Sequence, residues 1–390
     1  LNKIRIDHNK FINGRDGTRF LLSYGTIYGV VDNNYFDKNT DIGQTMDFYA
    51  LNATTWTNFS FTFGSADNMY FEDNTVTMDD VNHDIGLGGR FCARYNTYTH
   101  VNVARQWGGF EMHGNQPGAN LSAMGAEVYG NIIDNHTLPQ NLIFVGQRAG
   151  MALFFWNKIL LWNDAVSAWA AAVEEYEDSI NPPATGPTGQ TQHVSSSYYW
   201  NNRYGTIGTN LLTFGATNMY MPHYEIKANQ DFWNHNPSYN GTTQIGVYCG
   251  NALPANCTTG DGAWITIQSC SSVSANNVGV NPIEPISGTL YKCTAINTWE
   301  VYYIPYTYPH RVRTDCVNYP TLCDAGPPVS SNFLPEQFIQ AESGQLTSMQ
   351  TGVSGSDTYI YTATDNTGSA RYVFDISQSG QYKLEAKVNS

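Results

Sequence analysis

Ile4-Arg5-Ile6-Asp7-His8-Asn9-Lys10-Phe11 states a pattern that the chain then repeats. The pattern is a small or apolar residue, any residue, a small or apolar residue, two more residues, asparagine, any residue, an apolar residue. It returns as Gly29-Val31-Asn34-Phe36, Met69-Phe71-Asn74-Val76, Phe91-Ala93-Asn96-Tyr98, Ala126-Val128-Asn131-Ile133 and Ala152-Phe154-Asn157-Ile159. Alternate residues of a strand share a face, so the apolar positions on either side of each asparagine face one interior. Asparagine tolerates a left-handed corner between two strands and can bond a stacked copy of itself. The asparagines are 25, 40, 22, 35 and 26 residues apart, which suits one coil each with loops on the longer coils. The expectation is an all-β chain, a right-handed parallel β-helix (solenoid). The competing reading is a set of unrelated hairpins with asparagine in their turns.

With its asparagine corner, the chain resembles the pectate-lyase-like right-handed β-helix superfamily over roughly residues 1–320. That superfamily includes lyases, hydrolases, epimerases, adhesins and phage tailspikes, so the resemblance implies an architecture rather than one reaction. Leu290-Tyr291-Lys292-Cys293-Thr294 with Asn297-Thr298-Trp299, and Tyr303-Ile304-Pro305-Tyr306-Thr307-Tyr308-Pro309-His310, also resemble segments of a secreted, uncharacterised β-helix group. There they close the C-terminal end of the solenoid, whose last coil otherwise exposes apolar core and unpaired strand edges.

Two stretches depart from the repeat. Asp164–Ser179 has strong helix formers and Asn163 or Asp164 as a cap, which predicts a helical insertion before the breaker run 181–189. Asp324-Ala325-Gly326-Pro327-Pro328 begins a linker. Beyond it Phe338–Glu342, Tyr359–Tyr361, Ala370–Ile376 and Tyr382–Val388 read as short strands. This tail resembles the first part of a carbohydrate-binding β-sandwich module, with Gln340 where that module has a glutamate. The expected organisation is residues 1–323 as β-helix with a disulfide-rich cap, 324–333 as linker and 334–390 as a partial sandwich, in a chain read as a fragment or processed product.

Composition narrows the function. Of 390 residues, 33 are acidic and 19 basic, a net charge of −14, with no basic face of the kind nucleic acid needs. Charged residues make up only 13%, which argues against charge-driven disorder. No apolar run reaches membrane-spanning length. Six of the seven cysteines fall between Cys249 and Cys323 with no C-x-x-C, which reads as disulfides and an extracellular setting. Of the fifteen connectivities six cysteines allow, neighbour pairing (Cys249 with Cys257, Cys270 with Cys293, Cys316 with Cys323) is expected. Cys92 reads as a packed thiol.

The chemistry centres on Phe110-Glu111-Met112-His113, where Phe110 and Met112 point in and Glu111 and His113 point out. Neighbouring coils bring His83, Asp84, Arg90, Arg94 and Arg148, so one wall is expected to gather His113, Glu111, Asp84, His83 and the three arginines. A lyase needs a base for the proton α to a uronate carboxyl and cations for the developing charge; His113 and Arg90, Arg94 or Arg148 would serve. A hydrolase needs two carboxylates, for which Glu111 with Asp84 or Glu127 are nearest. The alternative is structural, with the arginines bridging carboxylates between coils. Tyr70-Phe71-Glu72-Asp73 with Asp79-Asp80 and Asp84 could bind calcium, but the spacing is not that of a calcium loop and a solvated acidic face is the favoured alternative. Trp107, Trp156, Trp162 and Tyr129 could stack on sugars, although for any single one of them core or loop packing is the stronger expectation. The expected partner is a polysaccharide, and the rival to an enzyme is a non-enzymatic surface adhesin or structural protein.

Overall fold

The computed structural model describes residues 3–12, 20–24, 27–37, 46–49, 61–78, 83–100, 107–114, 122–135, 143–161, 172–173, 192–205, 210–216, 225–241, 243–250, 252–266, 285–319, 322–323, 345–347, 350–354, 357–361 and 369–371. The chain divides into two compact units, residues 1–310 and 311–390.

In the first unit the chain visits three sheets in a fixed cycle. The first sheet holds Lys3–Asp7, Tyr28–Asp32, Met69–Glu72, Arg90–Arg94, Gly125–Tyr129, Met151–Phe155, Ser197–Trp200 and Phe232–Asn234 in chain order, all parallel. The second runs beside it from Lys10–Ile12 through Tyr35–Asp37, Thr75–Met78, Thr97–His100, Ile132–Asn135 and Lys158–Leu161 to Arg203–Gly205, where Asn210–Leu211 turns back antiparallel. The third holds Leu21–Tyr24, Met46–Tyr49, His83–Gly86, Trp107–Met112, Ile143–Gln147, Ala172–Val173 and Gly215–Ala216. The chain is therefore nearly all β with long parallel sheets. The inward residues share one apolar interior, in which Phe36 of the second sheet lies 5.6 Å from Phe71 of the first and Tyr98 lies 5.7 Å from Phe110 of the third.

The quoted asparagines form a continuous ladder. Asn34 Nδ2 donates to Asn74 Oδ1 at 3.0 Å, and Asn34 N donates to the same oxygen at 2.9 Å. The arrangement repeats from Asn9 to Asn34 and from Asn74 through Asn96 and Asn131 to Asn157. A seventh rung, Asn202, receives Asn157. Each Nδ2 from Asn34 onward also reaches a backbone carbonyl of the preceding coil, as Asn96 reaches Phe71 O at 2.9 Å. One expectation is corrected. The left-handed corner falls on the residue before each asparagine: His8, Asn33, Asp73, Tyr95, Gly130, Trp156 and Asn201 have φ between 50° and 67°. The ladder asparagines are thereby free to turn their amides into the stack. A left-handed Tyr or Trp costs about 1–2 kcal/mol, which the amide bonds of the ladder offset.

Other expectations also change. Within the stretch read as helix, the described residues are Ala172–Val173, a strand parallel to Gly146–Gln147; the rest of that stretch lies outside the described residues. Pairing with an existing strand edge outweighs local helix propensity there. Cys257 bonds Cys293, not Cys249, because Thr298 and Ala295 carry the hairpin back over Cys257; Cys316–Cys323 is as expected, and Cys270 lies outside the described residues. Ile245–Cys249, Gly262–Thr266, Thr289–Ala295 and Thr298–Tyr303 form a fourth, mixed sheet. The Tyr- and Pro-rich segment after it runs back along the outward face of the first sheet: Tyr303 meets Glu127, Tyr306 meets Arg94 and Tyr308 meets Asp73.

The second unit holds the helix Arg311–Thr314, the Cys316–Cys323 disulfide and two antiparallel pairs, Gln345–Thr347 with Ser369–Arg371 and Gln350–Ser354 with Asp357–Tyr361. The expected strands 338–342 and 382–388 and the linker lie outside the described residues. Among the described residues no helix is long and apolar enough to cross a membrane.

Candidate functional site

Strand parity decides which expected residues meet. Phe110 pairs with His83 and Glu111 with Asp84, so Phe110 and His83 face inward while Glu111 and Asp84 face outward. Asp47 takes the same register position one strand further on. Two residues after Glu111, His113 projects beyond the strand end, and Arg148 follows the adjacent strand, its N–H bonded to Met112 O at 3.0 Å.

These residues form one cluster on the third sheet. His113 Nε2 lies 2.9 Å from Asp84 Oδ1 and 3.8 Å from Glu111 Oε1. Arg148 contacts Glu111 Oε1. The side chains are layered: His113 is 17% exposed and Arg148 12%, above Glu111 at 8% and Asp84 at 1%. A basic pair thus tops a more deeply buried acidic pair. One ligand atom each from Asp84, Glu111 and His113 lie within 4.8 Å of one another, which a metal ion would accept. Calcium takes six to eight oxygens, so a trio with one imidazole and an arginine already on Glu111 does not fit it.

Three expected members are elsewhere. His83 sits in the core, its Nε2 2.7 Å from Tyr98 OH and its ring stacked on Phe110 at 5.1 Å. Burial lowers its pKa well below the usual value, which keeps it neutral. Arg90 and Arg94 belong to the first sheet. Arg94 is fully buried, donating to Glu72 Oε2 at 2.7 Å, Tyr129 OH at 2.9 Å, and the carbonyls of Tyr306 and Thr307 at 2.7 and 2.9 Å. Arg90 is half-buried on the same face, and burial lowers its pKa.

Glu127 is also on the first sheet, away from Glu111. It is buried and accepts from Gly64 N at 2.7 Å, Asn68 Nδ2 at 3.1 Å and Tyr303 OH at 2.8 Å. Burial pushes its pKa up to about 7 against the pull of these donors and Arg94. Cys92 lies between Tyr70 and Glu127, fully buried, and burial pushes its thiol up, as suits an inert side chain.

The calcium stretch is split. Glu72 holds Arg94 and accepts His310 N at 2.9 Å, and Asp73 accepts Tyr308 OH at 2.8 Å, both away from Asp84. Asp79 and Asp80 lie outside the described residues. Trp156 and Tyr129 are buried rather than displayed, while Trp162 and the side chain of Trp107 lie outside the described residues.

No family model, no curated protein and no solved structure matches the chain.

Proposed function

We propose that residues 1–310 form a right-handed parallel β-helix that acts on an extracellular polysaccharide, with the third-sheet cluster as the centre of a uronate lyase. The cycle through three parallel sheets and the asparagine ladder support the fold. The layering of the cluster carries the function: the groups nearest solvent are an imidazole and a guanidinium, each held from beneath by its own carboxylate. With its Nε2 2.9 Å from the buried Asp84 carboxylate, the His113 imidazole is the base in this reading. Arg148, oriented by Glu111, neutralises the uronate carboxylate as the α-proton leaves. Hydrolysis with inversion is disfavoured, because carboxylate oxygens within 4.8 Å are closer than the ~6.5–9.5 Å it uses. The two disulfides support an oxidising, extracellular setting, and the strand pairs of the second unit are compatible with a carbohydrate-binding sandwich.

The test is a screen of the full chain on uronate-containing and neutral polysaccharides, reading the ultraviolet absorbance of unsaturated ends and, in parallel, reducing ends. Unsaturated products, lost by about a hundredfold or more in His113→Gln, are expected. Products on no substrate of a wide panel would sink the enzyme reading. A second reading, a non-enzymatic adhesin or structural protein, draws on one observation: within the cluster Arg148 and His113 already meet the charges of Glu111 and Asp84.

A further inference from the structure

The corner between the first and second sheets carries a concavity that the lyase reading leaves unused. It has a volume of about 440 Å³ and is lined by His8, Lys10, Asn33, Tyr35, Asp73 and Thr75 together with ladder asparagines Asn9 and Asn34. Its shape follows from the ladder. In three successive coils the left-handed residue (His8, Asn33, Asp73) precedes the ladder asparagine, and the first residue of the second-sheet strand follows it (Lys10, Tyr35, Thr75). The result is two columns of polar side chains running across the strands, with one step per strand spacing of ~4.8 Å.

This concavity carries both signs of charge, Lys10 and His8 at one end and Asp73 at the other. Asp7 already meets Arg5 at 3.5 Å and His8 at 3.0 Å, and Asp73 accepts Tyr308 OH. Lys10 is exposed, its Nζ is 5.4 Å over the Tyr35 ring, and among the described residues no carboxylate pairs with it. Tyr35 is itself held by its hydroxyl donating to Asp37 Oδ2 at 3.2 Å. An ammonium steadied on an aromatic face therefore stands beside the amide of Asn33 and the exposed hydroxyl of Thr75. This is the set of groups that an acidic sugar needs, a cation for its carboxylate and mixed donors and acceptors for its hydroxyls.

We infer that this corner is a second, non-catalytic binding site for an acidic saccharide chain laid across the coils, with Lys10 on a carboxylate and Asn33 and Thr75 on ring hydroxyls. The inference rests on the polysaccharide reading above but not on His113. It would let the protein hold a polymer at one corner while another stretch of the chain reaches the third sheet.

The experiment measures binding of a galacturonate tetramer to the full-length His113→Gln protein by calorimetry, with cellotetraose as the neutral control. The acidic tetramer is expected to bind and the neutral one to bind at least several-fold more weakly. Lys10→Glu should weaken the acidic tetramer on the order of tenfold. Tyr35→Ala, which removes the support under Lys10, should weaken it by about threefold. Lys10 is exposed, so Lys10→Glu is expected to fold even if Tyr35→Ala does not. In the otherwise wild-type protein Lys10→Glu should leave turnover of a short substrate unchanged. Acidic-tetramer binding that is unaffected by Lys10→Glu, equal binding of both tetramers, or no binding at all would overturn the second site. If wild-type protein cleaves nothing while Lys10-dependent binding persists, the lyase reading fails and the corner site stands. If cleavage is intact and Lys10→Glu changes nothing, the corner site fails alone.

Discussion

The first and third sheets both bury charge on their outward faces, but to different depths and under different covers. On the first sheet Arg94 and Glu72 are sealed beneath Tyr306, Thr307 and His310, and Glu127 beneath Tyr303. On the third sheet Asp84 and Glu111 lie under His113 and Arg148, which themselves reach solvent. The strand alternation that presents these groups is the same in both places. The difference lies in the cover: a segment of chain locks one face, whereas among the described residues side chains top the other. Charge under a strap of backbone holds the strap; charge under side chains that themselves reach solvent lies nearer to a ligand.

The largest effect should come from breaking the locked face. Arg94→Met leaves Glu72 buried without its guanidinium and is expected to destabilise the first unit by about 3–5 kcal/mol, measured by chemical denaturation. Adding Glu72→Leu should restore most of that loss, because a buried pair replaced by apolar groups is often close to neutral. Failure of the double variant to recover would show that Arg94 acts mainly through the carbonyls of Tyr306 and Thr307.

Next in size is a pH effect confined to the same face. Glu127 has a folded pKa of about 7 against an ordinary value of 4.5, because burial penalises its charge. The folded protein therefore keeps a proton that the unfolded chain has released. The stability this contributes is present below pH 4.5 and lost as pH rises to about 7, up to roughly 3 kcal/mol in all. Denaturation across that range should show stability falling with pH in the wild type and a flatter profile in Glu127→Gln. An identical slope in both proteins would show that Glu127 is not the group responsible.

What the sequence made legible follows the same division. The ladder could be read because each rung repeats one spacing; even the seventh fits, as Ser197-Tyr199-Asn202-Tyr204, but a 45-residue gap hid it. Glu111, His113, Asp84 and Arg148 were legible from strand parity. Parity also assigns His83, which pairs with inward Phe110, to the core. Arg90 and Arg94 stand in the strand just before ladder residue Asn96 and so belong to the ladder's own sheet, whereas Glu111 stands one strand earlier in its coil. That Tyr303–His310 returns along the flank was not legible, because its anchors are more than 170 residues away in sequence. Local pattern carries no signal at that range.

The ladder itself offers an uncharged standard between the two faces. Asn96→Ala removes the bonds to Asn131 Oδ1 and Phe71 O and the acceptor for Asn74, all in buried surroundings. The expected cost is about 2 kcal/mol by denaturation, below that of Arg94→Met, because the groups left unpaired are neutral. A loss equal to that of Arg94→Met would mean that the stack unzips cooperatively from one broken rung.

The smallest stability effect is expected on the third sheet. His113→Gln keeps an amide donor near the position of Nε2, so Asp84 keeps a partner, and the side chain it replaces is 17% exposed. The change in stability should stay within about 1 kcal/mol. The variant nevertheless lacks the imidazole that serves as the base, so its turnover should fall while its denaturation curve barely moves. A face kept for structure would behave in the opposite way, losing several kcal/mol like Arg94→Met. The two curves measured side by side therefore decide whether the cluster under His113 works on a ligand or only holds coils together.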